Sequence, residues 1–347
     1  MPHTVYRGVP QHRATEDALV RLLVDGPTAF HSHATVTPYL FRDGDRTVGR
    51  CALIHDRNMP AYVQVAFFEA LPGLGDVVGP LREAARRLQT GAPRLLVGLN
   101  GHLNYGAGIL LDRFDEPPVF GMPYTPPYYP AYFEGLFRRE MVSFRFPLAG
   151  VYEWGRMAAP RIDTYGITVR TLDMRRLRTE IGLYTFIDNT TFSNTPYWYW
   201  SNRDPRENYE LFHPFRFLMR GENLLFAEVD GRPAGFLLWY PDFNNLVPAG
   251  RGIGPRDVLR YRFANPLRRL RLAEVAVLPE FRRRPVVAMM IRTALPLMER
   301  RGMLSGEGGF IFSENRGSIA MTQRYFERGI GHRLEPHTHY AMYEAEL

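Results

Sequence analysis

The run Leu272-Ala273-Glu274-Val275-Ala276-Val277-Leu278-Pro279-Glu280-Phe281-Arg282-Arg283-Arg284-Pro285-Val286-Val287 decides how this chain is read. Its opening residues are apolar and rich in β-branched side chains, which predicts a strand over 270–277. Pro279 interrupts the strand and three consecutive arginines follow. Pro285 then stands where a helix begins, since proline fits the first helical turn. Beyond it Val287, Met290, Ile291, Ala294 and Met298 repeat at helical spacing, so a helix over 285–301 buries that stripe as core. A strand feeding a helix through a short basic turn is the unit of an α/β fold.

Outward from this run the C-terminal half keeps alternating. Before it come a strand over 166–172, helices over 174–192 and near 208–218, a hairpin over 224–238 turning at Asp230-Gly231, and a Gly/Pro-rich loop over 241–255. After it come a strand over 309–313, a helix over 317–328 with Gly329 as its C-cap, and a strand over 337–343. The N-terminal half repeats the order: a hairpin over 39–54 turning at Asp43-Gly44, a strand over 63–69, a helix over 75–89, a strand over 94–98, an aromatic loop over 120–132 and a strand over 138–146. Gly44 and Gly231 lie 187 residues apart, and Tyr132 and Tyr325, each opening a Tyr-Phe-Glu triplet, lie 193 apart. Two nearly equal offsets in the same order imply two copies of one fold. Gly, Ala and Pro interrupt the pattern over 150–160, which gives domains at 1–155 and 156–347.

Composition limits the classes further. A chain of 347 residues with 45% hydrophobic content is long enough for two cores. The net charge is +7, but all 43 basic residues are arginine, a bias that points to a high-GC genome at least as much as to an anionic partner. Cys51 is the single cysteine, which excludes an intramolecular disulfide and a cysteine metal cluster; within the strand-like 48–55 it reads as a small buried hydrophobe. Residues 1–13 lack the apolar centre of a signal peptide and no run of 18 apolar residues occurs, so the expectation is a soluble, cytoplasmic protein without a membrane span. His337 and His339 share a strand face, but two ligands without a third make no metal site.

The 272–287 run resembles the acyl-CoA motif of GNAT acyltransferases, a strand followed by V-x-P-x-x-R-x-x-G-x-G/A and a helix. Further fragments extend the resemblance to a bacterial family of two-domain GNAT proteins: Asp230-Gly231-Arg232-Pro233-Ala234-Gly235-Phe236, Tyr240-Pro241-Asp242-Phe243-Asn244, Ser313-Glu314-Asn315, Phe67-Phe68-Glu69 and Met122-Pro123-Tyr124-Thr125-Pro126-Pro127. It implies an α/β architecture of tandem GNAT-like mixed sheets flanked by helices, a degenerate N-terminal copy and a catalytic C-terminal one. The implied activity joins an acyl thioester to a small-molecule or peptide amine as an amide, in specialised metabolism. The donor is acyl-CoA or the phosphopantetheine thioester of an acyl carrier protein, a cosubstrate rather than a permanently bound cofactor.

Residue by residue, the resemblance assigns the donor to Val275, Val277, Arg282, Arg283, Arg284, Val287, Ala288 and Asn315. A diphosphate needs the free N–H groups and positive dipole end of a helix N-terminus. Where the motif carries glycines this chain has Pro285, which lacks an N–H, and Val287, which adds bulk. Weaker diphosphate recognition follows, partly offset by the arginine triplet, and favours a carrier protein or long-chain CoA over acetyl-CoA. Asn315 either caps the next helix or contacts the donor. Glu274 is either the general base for the amine or the ion-pair partner of Arg269 or Arg271. Tyr325 is either the acid for the leaving thiolate or a core tyrosine. Asp188, Asn189, Tyr197, Trp198 and Trp200 form an acceptor wall or pack against the other domain. In the N-terminal copy, Gly73-Leu74-Gly75-Asp76 offers no arginine and an acid where a phosphate would arrive. Two alternatives stand beside this reading. A tRNA-dependent aminoacyl transferase suits the arginine excess but is less favoured; a non-catalytic binding module would explain Pro285 and Val287.

Overall fold

A computed structural model describes residues 2–158, 164–193 and 199–347. The N-terminal half runs α1 (Pro2–Val5), α2 (Asp17–Val24), the hairpin β1 (Ala34–Asp43) and β2 (Arg46–Asp56), β3 (Tyr62–Ala70), α3 (Val78–Arg87), β4 (Arg94–Val97), β5 (Ile109–Leu110), α4 (Tyr129–Tyr132), β6 (Phe137–Pro147) and α5 (Ala149–Ala158). The C-terminal half runs β7 (Ile167–Thr171), α6 (Leu177–Phe192), α7 (Pro205–Phe212), the hairpin β8 (Leu224–Val229) and β9 (Arg232–Pro241), α8 (Pro255–Ala264), β10 (Arg269–Val277), α9 (Val286–Arg300), β11 (Ser305–Phe312), α10 (Arg316–Ile330) and β12 (Thr338–Glu346). The Asp-Gly dipeptides at 43–44 and 230–231 do turn both hairpins, with positive φ at Gly44, Asp230 and Gly231. Cys51 is buried in β2, and that burial pushes its thiol up to about 12.

All the strands join one sheet in the order β1-β2-β3-β4-β12-β6-β11-β10-β9-β8-β7, with β5 pairing β12. The two halves exchange their last strands. β6 follows α4 in the N-terminal half yet pairs antiparallel with β11, while the chain's last strand β12 lies between β6 and the N-terminal β4. Backbone hydrogen bonds therefore run unbroken from one half to the other. Residues 149–158, expected at the boundary, form α5 and pack on α10.

Two elements depart from the sequence expectation. Gly329 does not cap the preceding helix: α10 continues to Ile330 and is capped by Gly331 at φ 76°. Gly329 is instead a packing glycine, since a Cβ there would meet Val151 Cα at 2.5 Å, and one at Gly150 would meet the Gly329 carbonyl at 2.1 Å. The segment after the 241–255 loop, left without an element, forms α8, started by Pro255 and capped by Asn265 in the left-handed region.

Candidate active site

β10 and β11 are parallel neighbours only where Arg269–Leu272 faces Ser305–Gly308. Beyond Leu272 they part, and a register shift against β9 sets Glu274, rather than Ala273, opposite Leu238. Residues Leu272 to Val275 are all half-buried, the pattern of a strand with an open edge rather than a covered one. Into this split opens a cavity of about 300 Å³. Its walls come from both halves: Leu103, Asn104, Tyr105 and Phe120 from the first, and Tyr184, Phe192, Phe212, Phe215, Leu238, Phe243, Glu274, Ile291 and Tyr325 from the second. An outer cleft of about 630 Å³ shares Val275, Val287, Phe312 and Asn315 with it and is rimmed by Arg139, Arg282, Arg284 and Arg316.

Neither arginine considered as a partner for Glu274 reaches it. Arg269 pairs with Asp242 at 2.6 Å, while Arg271 donates to the Gly309 carbonyl and to the Tyr240 hydroxyl. Glu274 Oε2 instead accepts from Tyr184 Oη at 2.6 Å, and that hydroxyl accepts from Asn104 Nδ2 at 2.8 Å. Tyr184 is wholly buried; burial, then the charges of Asp188 and Glu274, pushes its phenol well up, so it stays a donor. Asn104 sits in a turn capped by His102, whose Nδ1 accepts from the Asn104 N–H while Nε2 donates to the Ser201 carbonyl. Burial and the Arg203 charge hold His102 well below its usual range, hence neutral.

Behind this relay lies a second layer. α6 buries Glu180, Tyr184, Asp188 and Thr191 along one stripe. Asp188, expected on the acceptor wall, is fully buried behind it and paired with the equally buried Arg203 at 3.1 Å. Burial first, and then the charge of Glu274, raises the Asp188 carboxyl well above the usual range. Asn189 holds the Arg203 backbone through both ends of its amide. Trp200 does line the cavity, edge-on to His102 of the first half at 4.6 Å. Tyr197 and Trp198 lie outside the described residues.

On the donor side, Val275 and Val287 stand where cavity and cleft meet, and Val277, Arg282 and Arg284 line the cleft. Arg282 donates to the Thr191 carbonyl and Arg284 to that of Tyr165, so both are already tied down; Arg283 is exposed, and Ala288 lies off the cleft wall. Pro285 is the N-cap of α9 rather than its first residue, and Met289 is the first to reach back, to the Pro285 carbonyl at 3.0 Å. The N–H groups of Val286, Val287 and Ala288 thus have no partner in the helix itself. Asn315 caps α10 by accepting from the Ser318 N–H, and faces the cleft as well. Of the α9 stripe read as core, Met290, Ala294 and Met298 are core while Val287 and Ile291 wall the cavity. Tyr325 lines the cavity, its phenol raised by burial. His337 and His339 are bonded to Glu116 and Asp112.

The matching split of the first half, between β3 and β4, is closed. Tyr6, His12, Arg13 and Thr15 of the N-terminal segment cover it, leaving a cavity of about 100 Å³. Asp76 Oδ1 accepts from the Gly79 N–H at the start of α3, so a carboxylate already occupies that helix N-terminus.

Tyr184 and Asn104 escaped the sequence reading. Tyr184 carries a usable signal, four residues before Asp188 on the same helical stripe. Asn104 carries none, because it reaches the site only through the packing of the two halves.

Residues 189–334, which include the split strands, match the acetyltransferase (GNAT) family. The tandem GNAT protein from the clavulanic acid biosynthesis pathway shares the fold: TM-score 0.51, 14% identity, 92% of this chain and 84% of that one covered. A GCN5-related glucosamine N-acetyltransferase region of a fungal multi-domain β-N-acetylglucosaminidase superposes with TM-score 0.53 at 14% identity, over 94% of this chain and 34% of that one. Fold and site together define an acyltransferase of the GNAT class. The chain belongs to the GNAT superfamily as a two-domain member. Among curated relatives, protein YghO of Escherichia coli K12 is 23% identical over 277 residues, 74% of this chain and 67% of the relative. The bacterial ceramide synthase of Caulobacter vibrioides is 25% identical over 259 residues, 71% of this chain and 65% of the relative. The matched region thus spans about two thirds of those proteins' own length.

Proposed function

We propose that this enzyme transfers a long acyl chain from a pantetheine thioester to an amine, forming an amide. The observation that carries the reading is the cavity. It begins at the Glu274 carboxylate and is walled by Leu, Met and Phe side chains, a poor fit to an acetyl group alone. A ceramide is itself a fatty-acyl amide of a long-chain amino alcohol, so the relatedness to a bacterial ceramide synthase favours an acceptor of that kind over a peptide.

In this reading the thioester lies along the free edge of β10, its pantetheine amides paired with the backbone of Val275 and Val277. Glu274 takes a proton from the amine as nitrogen attacks the thioester carbonyl, with Tyr184 and Asn104 fixing the carboxylate's direction. Collapse of the tetrahedral intermediate breaks the C–S bond, and Tyr325 supplies the proton to the departing thiolate. The three free N–H groups of α9 and the arginines of the rim take the donor phosphate, on CoA or on a carrier protein. The first half, with its own split closed, binds no donor and serves as the far wall of the cavity.

The test is a chain-length series. Thioesters from acetyl to long fatty acyl, on CoA and on carrier protein, are offered with a long-chain amino alcohol and with short amines, and the amide is read by mass spectrometry. Rates should rise with acyl length. An enzyme that uses acetyl-CoA faster than every longer donor overturns the reading.

A further inference from the structure

α8 buries Tyr261 and Asp257 and turns the opposite face to solvent. That face carries Arg256, Leu259, Arg260 and Phe263, which at i, i+3, i+4 and i+7 form one stripe. Leu259 is 56% exposed and Phe263 88%. Phe217, 54% exposed, lies beside them, since Arg262 of α8 donates to its carbonyl at 2.7 Å and Arg216 stacks over its ring at 4.2 Å. Exposed aromatic and aliphatic side chains interleaved with arginines are not the ordinary surface of a water-facing helix. The acid of α8 does not offset that charge, because Asp257 is buried against Arg251 and the Gly254 N–H.

We infer that this face docks the enzyme on an anionic lipid surface. The charge decides the occupant: an apolar stripe set among Arg216, Arg256, Arg260 and Arg262 complements a bilayer of acidic headgroups, with Leu259, Phe263 and Phe217 entering the headgroup boundary. A second copy of the same chain would bring these arginines against one another. The placement suits the cavity too. Behind the stripe Tyr261 packs edge-on to Phe243 at 5.4 Å, and Phe243 walls the inner end of the cavity, so the docked face covers the end remote from the donor cleft.

The experiment needs no substrate, so its outcome is separable from that of the acyl-transfer reading. The full chain is sedimented with phosphatidylcholine vesicles, alone and with about one third phosphatidylglycerol. Wild-type protein should partition to the acidic vesicles and be released by salt. Joint replacement Phe217→Ser, Leu259→Ser and Phe263→Ser should cut the partition coefficient about tenfold or more, and each of Arg256→Glu and Arg260→Glu about fivefold or more. All five side chains are exposed, so thermal melting should be unchanged and rules out misfolding as the cause. Equal binding by wild type and the triple variant overturns the inference, as does no binding by wild type. Concentration-dependent dimerisation that the triple variant abolishes, without vesicle binding, assigns the face to a second copy instead.

Discussion

Tyr184 Oη donates to Glu274 Oε2 at 2.6 Å from a wholly buried position, so the orientation of the one carboxylate at the strand split is set by α6. If Glu274 is the base, Glu274→Gln should lower kcat by about 10²–10⁴ with little change in donor affinity. Tyr184→Phe keeps the ring and removes the bond, and should lower kcat by about tenfold while shifting the acidic limb of the pH–rate profile. Steady-state kinetics across pH check both; an unchanged profile in Tyr184→Phe shows that the contact is structural.

The same relay reaches the first half of the chain. Asn104→Ala leaves the Tyr184 hydroxyl without its donor and should lower kcat several-fold, a loss of about 1 kcal/mol, without changing KM for the donor. Asn104→Asp, which reverses the direction of the bond beside a carboxylate, should be more damaging than alanine. Parallel kinetics of the two variants test whether the N-terminal half contributes to the chemical step.

Donor recognition is separable from chemistry. Pro285→Gly with Val287→Gly restores one N–H and opens the cleft where it meets the cavity. CoA affinity, measured calorimetrically, should increase with kcat nearly constant, because phosphate contacts act alike on ground and transition states. Unchanged affinity, or a larger effect on kcat than on binding, contradicts this.

Asp188 and Arg203 are both removed from solvent, and each is the other's counter-charge. Arg203→Ala should destabilise the fold by about 3–5 kcal/mol, since it leaves a buried carboxylate unpaired; joint replacement with Asp188→Asn should recover part of that loss. Chemical denaturation of the single and double variants gives the comparison.

His33 links the halves, bonded to Asp56 at 2.7 Å and to Glu207 of α7 at 3.0 Å. Burial alone would lower its pKa, but the two carboxylates outweigh burial and hold it at about 9. A folded-state value above the unfolded one means the stabilisation is complete below about pH 6.5 and is lost as pH rises through about 9. The contribution is about 1–2 kcal/mol once screening of the partly exposed ring is allowed for. Stability should therefore fall between pH 6.5 and 9 in wild type and much less in His33→Asn, as urea unfolding across that range would show.

Local chemistry made much of this protein legible from its sequence. Asp-Gly turns, β-branched runs and the strand–arginine–helix passage at 272–287 each specify backbone over a few residues, and their repetition disclosed the tandem plan. The identity of Glu274 as a polar residue on the split strand was legible for the same reason. What lay beyond was non-local. The exchange of β6 and β12 depends on hydrogen bonds between residues some two hundred positions apart, such as Thr338 with Ser143. Gly329 reads as a cap until Val151 is found against it. The partner of Glu274 was chosen not by its sequence neighbours Arg269 and Arg271, which β-strand geometry turned toward Asp242 and Gly309, but by a helix and a turn that packing brought to the same point. A sequence sets which groups are available and what the backbone does nearby; only burial of one element against another decides which of those groups face each other.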